Sequence, residues 1–280
     1  MKRIYTLIVL IAVFACSRKV EQICPEAQKI RSYDIKLRPL EVEELNEPKE
    51  PEHTIELDKP CPDDMVEVQG DFCPEVRQVC KRWLDTDTRP TANSGIGPMR
   101  CAEFSESTCL SKKRVPMHFC MNRYEGQNKE GELPRIGMDW YEAKASCEGI
   151  GKRLCTNAEW TFACEGEDIK PYPYGDGMHR DESICDQTHD PMPAGTSRSK
   201  WSEYYQGHAS GSYPECQSKF GVYDMVAGVD EWIFNESRTP YVSGLKAGYG
   251  TYAVRTRCRA STLVHGPTFS YYQVGFRCCK

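Results

Sequence analysis

The chain of 280 residues is organised around one stretch, Cys147-Glu-Gly-Ile-Gly-Lys-Arg-Leu-Cys-Thr-Asn-Ala-Glu-Trp-Thr-Phe-Ala-Cys164. The glycines Gly149 and Gly151 end one helix, and Thr156 with Glu159 forms a capping box that begins another. Three cysteines lie on this unit. A helix pair with three cysteines predicts either a metal site or a point where other parts of the chain are attached by disulfides.

Composition limits the class of protein. The chain is 39% hydrophobic and 28% charged, with a formal net charge of −5. That is enough for one sizeable domain with tails, or for two small domains. The mild acidity argues against nucleic acid as the main partner, because neutralising phosphates requires a basic face.

The 16 cysteines indicate disulfides rather than zinc. A zinc site would show paired Cys-x-x-Cys or His-x-x-x-His spacings. The only close pair is Cys278-Cys279, and the six histidines are scattered along the chain. Disulfides in turn place the domain outside a reducing compartment.

The N-terminus also predicts export. A basic Met-Lys-Arg precedes an apolar run from Ile4 to Phe14, which is too short to span a membrane. The run ends at Val13-Phe14-Ala15-Cys16, which resembles the lipobox of bacterial lipoproteins, with Cys16 as the lipidated residue. We therefore expect a lipid anchor in the bacterial cell envelope. Ser17 favours the outer over the inner membrane, and the alternative is a cleaved signal peptide and a secreted or periplasmic protein.

The rest of the chain divides into a tether and a domain. Residues 1–16 are the predicted signal peptide. Residues 17–60 are acidic and contain prolines without an apolar period, so they read as a solvated tether. Residues 61–280 form the predicted domain, and residues 61–111 are its Cys-rich N-terminal part.

Within the domain, apolar patterns and caps predict short elements joined by long loops. Residues 167–215 show no steady period and read as one long irregular excursion. The predicted helices cover about 76–84, 140–147 and 157–165. The predicted strands lie near 65–69, 117–124, 221–225, 254–260 and 273–278.

Several motifs, taken in order, resemble the formylglycine-generating-enzyme (sulfatase-modifying-factor) family. They are Phe119-Cys-Met-Asn-Arg-Tyr-Glu, Gly151-Lys-Arg-Leu-Cys-Thr-Asn-Ala-Glu-Trp, Tyr172-Pro-Tyr-Gly, Phe220-Gly-Val-Tyr-Asp-Met-Val-Ala-Gly-Val-Asp-Glu-Trp, Arg255-Thr-Arg-Cys and Val274-Gly-Phe-Arg-Cys. The resemblance implies an α+β fold of the variant C-type-lectin-like kind. It has two helices, short strands and little regular secondary structure.

The resemblance also implies an activity that this chain is expected to lack. Enzymes of the family oxidise a substrate cysteine to formylglycine and hold copper(I) with two cysteines. Here those positions are Gly248 and Ala253, and no cysteine lies between Cys216 and Cys258. Copper(I) needs thiolate or similar soft ligands. We therefore expect no bound copper and a non-catalytic binding or structural domain. The alternative is an oxidoreductase of the family with a different metal site.

The same resemblance implies two disulfides and a calcium site. The disulfides are Cys147–Cys278 and Cys164–Cys258. The partner of Cys155 stays open among Cys120, Cys185, Cys216 and Cys279, and a Cys185–Cys216 pair would close the long excursion. The calcium ligands would be the side chains of Asp224 and Glu231 and the carbonyls of Ala227 and Val229, a set of oxygens that suits a hard cation. Asp186 is a candidate for a second calcium site.

Three weaker constellations remain. His179 and His189 with neighbouring aspartates could hold iron or could be polar surface. Arg255, Arg257 and Arg259 alternate on a predicted strand, where they would either bind an acidic peptide or glycan or be structural. A set of aromatic residues could line a groove for a protein, peptide or glycan of the envelope, or could be core. Its members are Trp201, Tyr204, Tyr205, Tyr249, Tyr252, Tyr271 and Tyr272.

Overall fold

A computed structural model describes residues 60–84, 100–187, 189, 192–193, 195–246 and 256–280. The predictions for the signal peptide, Cys16, the tether, Gly248, Ala253 and Arg255 lie outside these ranges. Among the described residues, no helix is both long enough and apolar enough to cross a membrane.

The two central helices are confirmed. Helix α1 spans Trp140–Glu148 and α2 spans Asn157–Glu165. Each begins with a complete capping box, Asp139 with Glu142 and Thr156 with Glu159. The side-chain-to-backbone hydrogen bonds of each box satisfy backbone N–H groups that the first turn of a helix leaves without partners. A 3-10 helix, Arg198–Tyr204, lies in the long excursion.

Two sheets surround the helix pair. Their strands are β1 (Met65–Phe72), β6 (Val115–Asn122), β7 (Arg153–Leu154), β8 (Asp230–Phe234), β9 (Ser243–Lys246), β10 (Val274–Phe276) and β11 (Cys278–Cys279). The larger sheet has the order β1-β6-β11-β7, and the smaller has the order β10-β8-β9. Strands β1 and β6 pair antiparallel over eight residues, from Met65 opposite Asn122 to Phe72 opposite Val115.

The predicted helix over residues 76–84 is wrong. The segment forms two short strands, β2 (Val76–Arg77) and β3 (Cys80–Trp83). Each pairs antiparallel with a later strand, β2 with β5 (Thr108–Cys109) and β3 with β4 (Cys101–Phe104). Backbone pairing with residues 18 to 33 positions away fixes an extended conformation that local propensity does not indicate.

Two of the predicted short strands are also corrected. Residues 221–225 contain only an isolated bridge at Tyr223, and the described part of the 254–260 segment, residues 256–260, is a turn. The smaller sheet instead uses β8 and β9. Strand β8 directly follows the turn of residues 224–229, called the acidic turn below. It pairs parallel with β10 on one side and antiparallel with β9 on the other.

Seven disulfides join all 14 cysteines from Cys61 onward. Cys147 pairs with Cys278 and Cys164 pairs with Cys258, as the resemblance implies. The open pairings are Cys155 with Cys279 and Cys185 with Cys216. The remaining three are Cys61–Cys120, Cys73–Cys109 and Cys80–Cys101.

The helix pair is therefore an attachment block. All three of its cysteines form disulfides, and two of their partners lie on the last strand, β11. Trp160 and Phe162 of α2 are fully buried in the main hydrophobic core. The cysteines of this block serve cross-linking and do not form a metal site.

Candidate functional site

A buried ion pair lies at the centre of the candidate site. Arg277 and Glu231 both have fully buried side chains, and Nη2 of Arg277 lies 2.7 Å from Oε1 of Glu231. Nε of Arg277 lies 3.1 Å from each carboxylate oxygen, and Nε1 of Trp160 donates to Oε2 of Glu231 at 2.6 Å. Every oxygen of Glu231 therefore accepts hydrogen bonds from within the domain.

Arg277 also connects three parts of the chain through backbone carbonyls. Its Nη1 donates to the carbonyls of Asn122 and Arg123 at 3.1 and 3.0 Å, and its Nη2 donates to that of Tyr223 at 2.9 Å. The guanidinium thus joins the end of β6, the acidic turn and the C-terminal strands. Its planar fork of donors is suited to such multiple bonding.

Two further carboxylates lie beside this pair. Oε1 of Glu125 accepts the Val229 N–H at 2.8 Å, and Oδ2 of Asp224 accepts the Gly211 N–H at 2.8 Å. Burial raises the pKa of Glu125 well above its usual range, and the charges of Asp224 and Glu231 raise it further. Burial likewise raises the pKa of Asp224 to about 6. One guanidinium therefore faces three carboxylates.

A small pocket lies beside Glu125 and Asp224. It is open to solvent, and the space between its walls and the solvent at its mouth together amount to about 250 Å³. Asp186 lies in its wall between two histidines. Its Oδ2 is 2.7 Å from Nε2 of His208 and 3.6 Å from Nε2 of His189. The lining residues are Glu125, Asp186, His189, Gly207, His208, Ala209, Tyr213, Asp224, Ala227 and Gly228.

The calcium ligands implied by the resemblance do not all lie at the same place in the structure. Asp224 and Ala227 line the pocket, whereas Glu231 is engaged by Arg277 and Trp160. Asp186, the candidate for a separate second site, lines the same pocket as Asp224. Within the described ranges, no three His, Cys, Asp or Glu side chains are placed so that they could hold a metal ion together.

Three residues of this site were not predicted from the sequence: Arg277, Glu125 and His208. Arg277 lies in the motif that begins at Val274, which gave no sign of its carboxylate partner. Glu125 ends the motif that begins at Phe119, and His208 lies in the irregular excursion. The acidic residue at the end of this motif was a usable signal for Glu125. His208 carried no signal, because a loop histidine meets its partner only through the folded path of residues 167–215.

His179 and His189, considered together as candidate iron ligands, each lie beside a different aspartate. Nδ1 of His179 lies 2.7 Å from Oδ2 of Asp176, and both side chains are exposed. His189 is buried and faces Asp186, as His208 does from the other side of that carboxylate.

The predicted aromatic groove residues split between surface and core. Tyr271 is exposed and packs edge-on against Trp201, with ring centroids 5.8 Å apart. Tyr272 is buried, with Trp201, Tyr204 and Tyr205 packed around its cluster. Tyr249 and Tyr252 lie outside the described ranges.

A buried lysine lies at the end of β9. Nζ of Lys246 donates to Oγ1 of Thr161 at 3.0 Å and to the Cys258 carbonyl at 2.8 Å, and it lies 4.9 Å from the Trp160 ring centroid. Burial lowers the pKa of Lys246 to about 7. All three of these contacts are internal, so this amine links α2 to the Cys164–Cys258 disulfide.

Comparison with solved structures supports the fold. The structure of CarF superposes with a TM-score of 0.50 and 15% sequence identity, over 78% of this chain and 98% of CarF. At that identity the likeness concerns the fold alone. The α+β, variant C-type-lectin-like fold predicted from the sequence is confirmed.

Curated relatives carry two kinds of name. The bovine protein "Inactive C-alpha-formylglycine-generating enzyme 2" is 31% identical over 112 residues, which is 40% of this chain and 36% of that protein. The mouse "Formylglycine-generating enzyme" is 26% identical over 167 residues, which is 52% of this chain and 43% of that protein. The chain thus matches about a third to a half of each of these relatives.

A family model covers most of the domain. Residues 71–280 match the sulfatase-modifying factor enzyme 1-like domain. This range includes both helices, the Glu231–Arg277 pair and the pocket, and it covers three quarters of the 280 residues. The chain therefore belongs to the sulfatase-modifying factor (formylglycine-generating-enzyme-like) family.

Proposed function

We propose that this chain is an exported, lipid-anchored member of the family that works by binding or as a structural component rather than by oxidising cysteine. One observation carries the proposal: all 14 cysteines from Cys61 onward are joined in disulfides, so the domain offers no thiolate for copper(I). Gly248 and Ala253 stand where the resemblance places copper ligands. The similarity to relatives named inactive supports the same direction.

A copper-loading assay tests this proposal. The oxidised full chain, incubated with copper(I), oxygen and a sulfatase-type cysteine peptide, is expected to leave the peptide unchanged. Mass spectrometry detects the aldehyde, and an active formylglycine-generating enzyme treated in parallel is the positive control. Aldehyde formed by this chain at a rate above that of free copper would overturn the proposal.

The alternative function is an oxidoreductase with a different metal. The nearest donors for it are Asp186, His189 and His208, which would have to move closer together, because no three such side chains of the described residues are placed to hold a metal. Metal analysis of protein purified from the cell envelope separates the two functions. Iron or copper in stoichiometric amount supports an oxidoreductase, whereas calcium alone supports the binding domain.

We further propose that calcium stabilises the acidic turn. The donor set fits a hard cation because Asp224 and Glu125 bring carboxylate oxygens to the pocket, and Arg277 only partly offsets the repulsion among Glu125, Asp224 and Glu231. Asp224, the Ala227 carbonyl and, by the resemblance, the Val229 carbonyl and Glu231 would hold the ion. Glu231 would have to share its oxygens with Arg277.

The variant Asp224→Asn tests calcium binding. In wild type, calcium is expected to raise the melting temperature, and in the variant this rise is expected to disappear, because the charge that attracts the ion is lost. In chelator at pH 7.5 the variant should be at least as stable as wild type. Burial raises the pKa of Asp224 from 3.8 to about 6, so its stabilising contribution is present below pH 4 and is lost as the pH rises through 6.

Two features make the comparison interpretable. Asp224 has φ of 61°, a left-handed conformation that Asn also tolerates, so the backbone is preserved. Asp181→Asn, at an exposed site outside the pocket, is the matched control and should keep the response to calcium. Differential scanning calorimetry with and without calcium measures both. An equal calcium response in Asp224→Asn and wild type would show that the ion does not bind here.

For location, we propose anchoring through lipidated Cys16 in the bacterial cell envelope, with the outer membrane favoured over the inner. The lipobox-like sequence and the acidic tether of residues 17–60 support this proposal. Density-gradient separation of the two membranes tests it, and recovery of the chain in the soluble fraction would favour a secreted or periplasmic protein. The partner would be a protein, peptide or glycan of the envelope.

A further inference from the structure

The arginines around Cys258 have separate roles, although their spacing suggested one shared face. Arg259 is committed to the interior: its Nε and Nη2 bond the two oxygens of Glu165 at 2.7 and 2.5 Å. It also donates to the backbone carbonyls of Cys73 and Pro74. Arg259 is therefore structural, since it joins α2 to the end of β1.

Arg257 has no such partner. Its side chain is partly buried beside Tyr172, and it forms no hydrogen bond or ion pair with any described residue. The nine residues that precede the turn, 247–255, contain no Asp or Glu. Burial lowers the pKa of the Arg257 guanidinium, because no carboxylate offsets the loss of water.

The cations near Arg257 are already engaged. Nε and Nη2 of Arg180 bond Oε1 of Glu182 at 3.2 and 3.0 Å, and Nη1 of Arg180 donates to Oγ1 of Thr256. Lys246 donates to Thr161 and to the Cys258 carbonyl. In this part of the described structure, Arg257 is thus the cation that lacks a counter-charge.

A partly buried, unpaired charge destabilises a domain unless a partner neutralises it. A guanidinium presents a planar fork that matches the two oxygens of a carboxylate. A single available cation suits a singly charged carboxylate better than a phosphoryl group, which is bound by several cations or backbone amides.

We propose that Arg257 is the recognition residue for an acidic side chain, Glu or Asp, of a partner peptide. Tyr172 interacts electrostatically with the Arg257 guanidinium, and Thr256 precedes Arg257 in the chain. The inference rests on the proposed binding function and gives the chemistry of its partner. It depends on neither copper nor calcium, so its failure would leave the copper-loading result unaffected.

Titration of the full, oxidised chain with acetyl-glutamate amide tests the proposal. With nitrogen-15 labelling, the Nε–Hε signal of Arg257 is expected to shift and saturate. The neutral probe acetyl-glutamine amide should bind about tenfold more weakly or worse, because it cannot form the charged pair. Glucuronic acid is a third probe, and a response to it without a response to the glutamate compound would overturn the assignment to a peptide.

Two matched variants separate recognition from structure. Arg257→Gln is expected to abolish the saturable response to the glutamate probe and to keep or raise the wild-type melting temperature, since no bond to a described residue is lost and a partly buried, unpaired charge is removed. Arg259→Gln should lower the melting temperature, because Glu165 is left buried without its partner. A large loss of stability in Arg257→Gln, or unchanged binding by it, would show that Arg257 is not a recognition residue.

Discussion

Replacing Arg277 with Met is expected to lower the free energy of unfolding by about 3–5 kcal/mol at pH 7, the usual cost of removing one partner from a buried pair. The variant leaves Glu231 buried without its guanidinium, and Glu125 and Asp224 lose the nearest positive charge. Three backbone carbonyls also lose their donor. Urea denaturation followed by circular dichroism in chelator measures the change.

The pH dependence of this loss identifies its cause. Arg277 lowers the pKa of both Glu125 and Asp224, so without it their raised values rise further. A carboxylate whose pKa is raised by folding stabilises the domain below its unfolded pKa and ceases to do so as the pH rises through the folded value. The loss should therefore be smaller at pH 4 than at pH 7.

A surface pair provides the control. Lys144 and Glu148 form an exposed pair one turn apart on α1. Lys144→Met should cost less than about 0.5 kcal/mol, because exposed pairs contribute little. If Arg277→Met were as mild as Lys144→Met, the central ion pair would not organise this site.

Removing the Cys147–Cys278 disulfide by a double substitution to Ala is expected to cost about 5 kcal/mol. The bond closes a loop with a sequence separation of 131 residues, and the chain-entropy model gives a cost that grows with the logarithm of loop length. It also attaches the last strand to α1. Thermal or urea unfolding of the oxidised variant measures the loss.

The Cys80–Cys101 disulfide is the matched comparison. Its separation of 21 residues predicts a cost of about 3 kcal/mol in the same model. The short strands β3 and β4 that it joins form a two-stranded sheet of their own, so the two larger sheets should still fold. An order of costs opposite to that of the separations would mean that packing rather than loop closure sets the contribution of these bonds.

Local signals in the sequence were reliable where the physics is local. The capping boxes at Asp139 and Thr156 act over three residues, and both helices begin where these boxes predict. The alternation in β1 also identified its strand, because one face is buried and the other is not. By contrast, the helix predicted for residues 76–84 is wrong, because the extended form of this segment depends on pairing with β4 and β5, which the local sequence does not reveal.

The candidate site depends on contacts between residues far apart in the chain. Glu125, Asp224, Glu231 and Arg277 come from three segments, and only the folded chain brings them to one buried cluster. The acidic turn was recognisable as a motif. The ion pair between Glu231 and Arg277 was not recognisable, because two charged residues 46 positions apart produce no periodic pattern in the sequence.

The sequence by itself determined the family, the two helices, the use of cysteines in disulfides and the absence of cysteines between Cys216 and Cys258. These follow from residue identity, spacing and short-range capping. The tertiary structure decided which cysteines pair beyond the two implied pairs, which carboxylate meets Arg277, and which arginine near Cys258 lacks a partner among the described residues. Those outcomes depend on burial and on long-range approach, and residue order alone specifies neither.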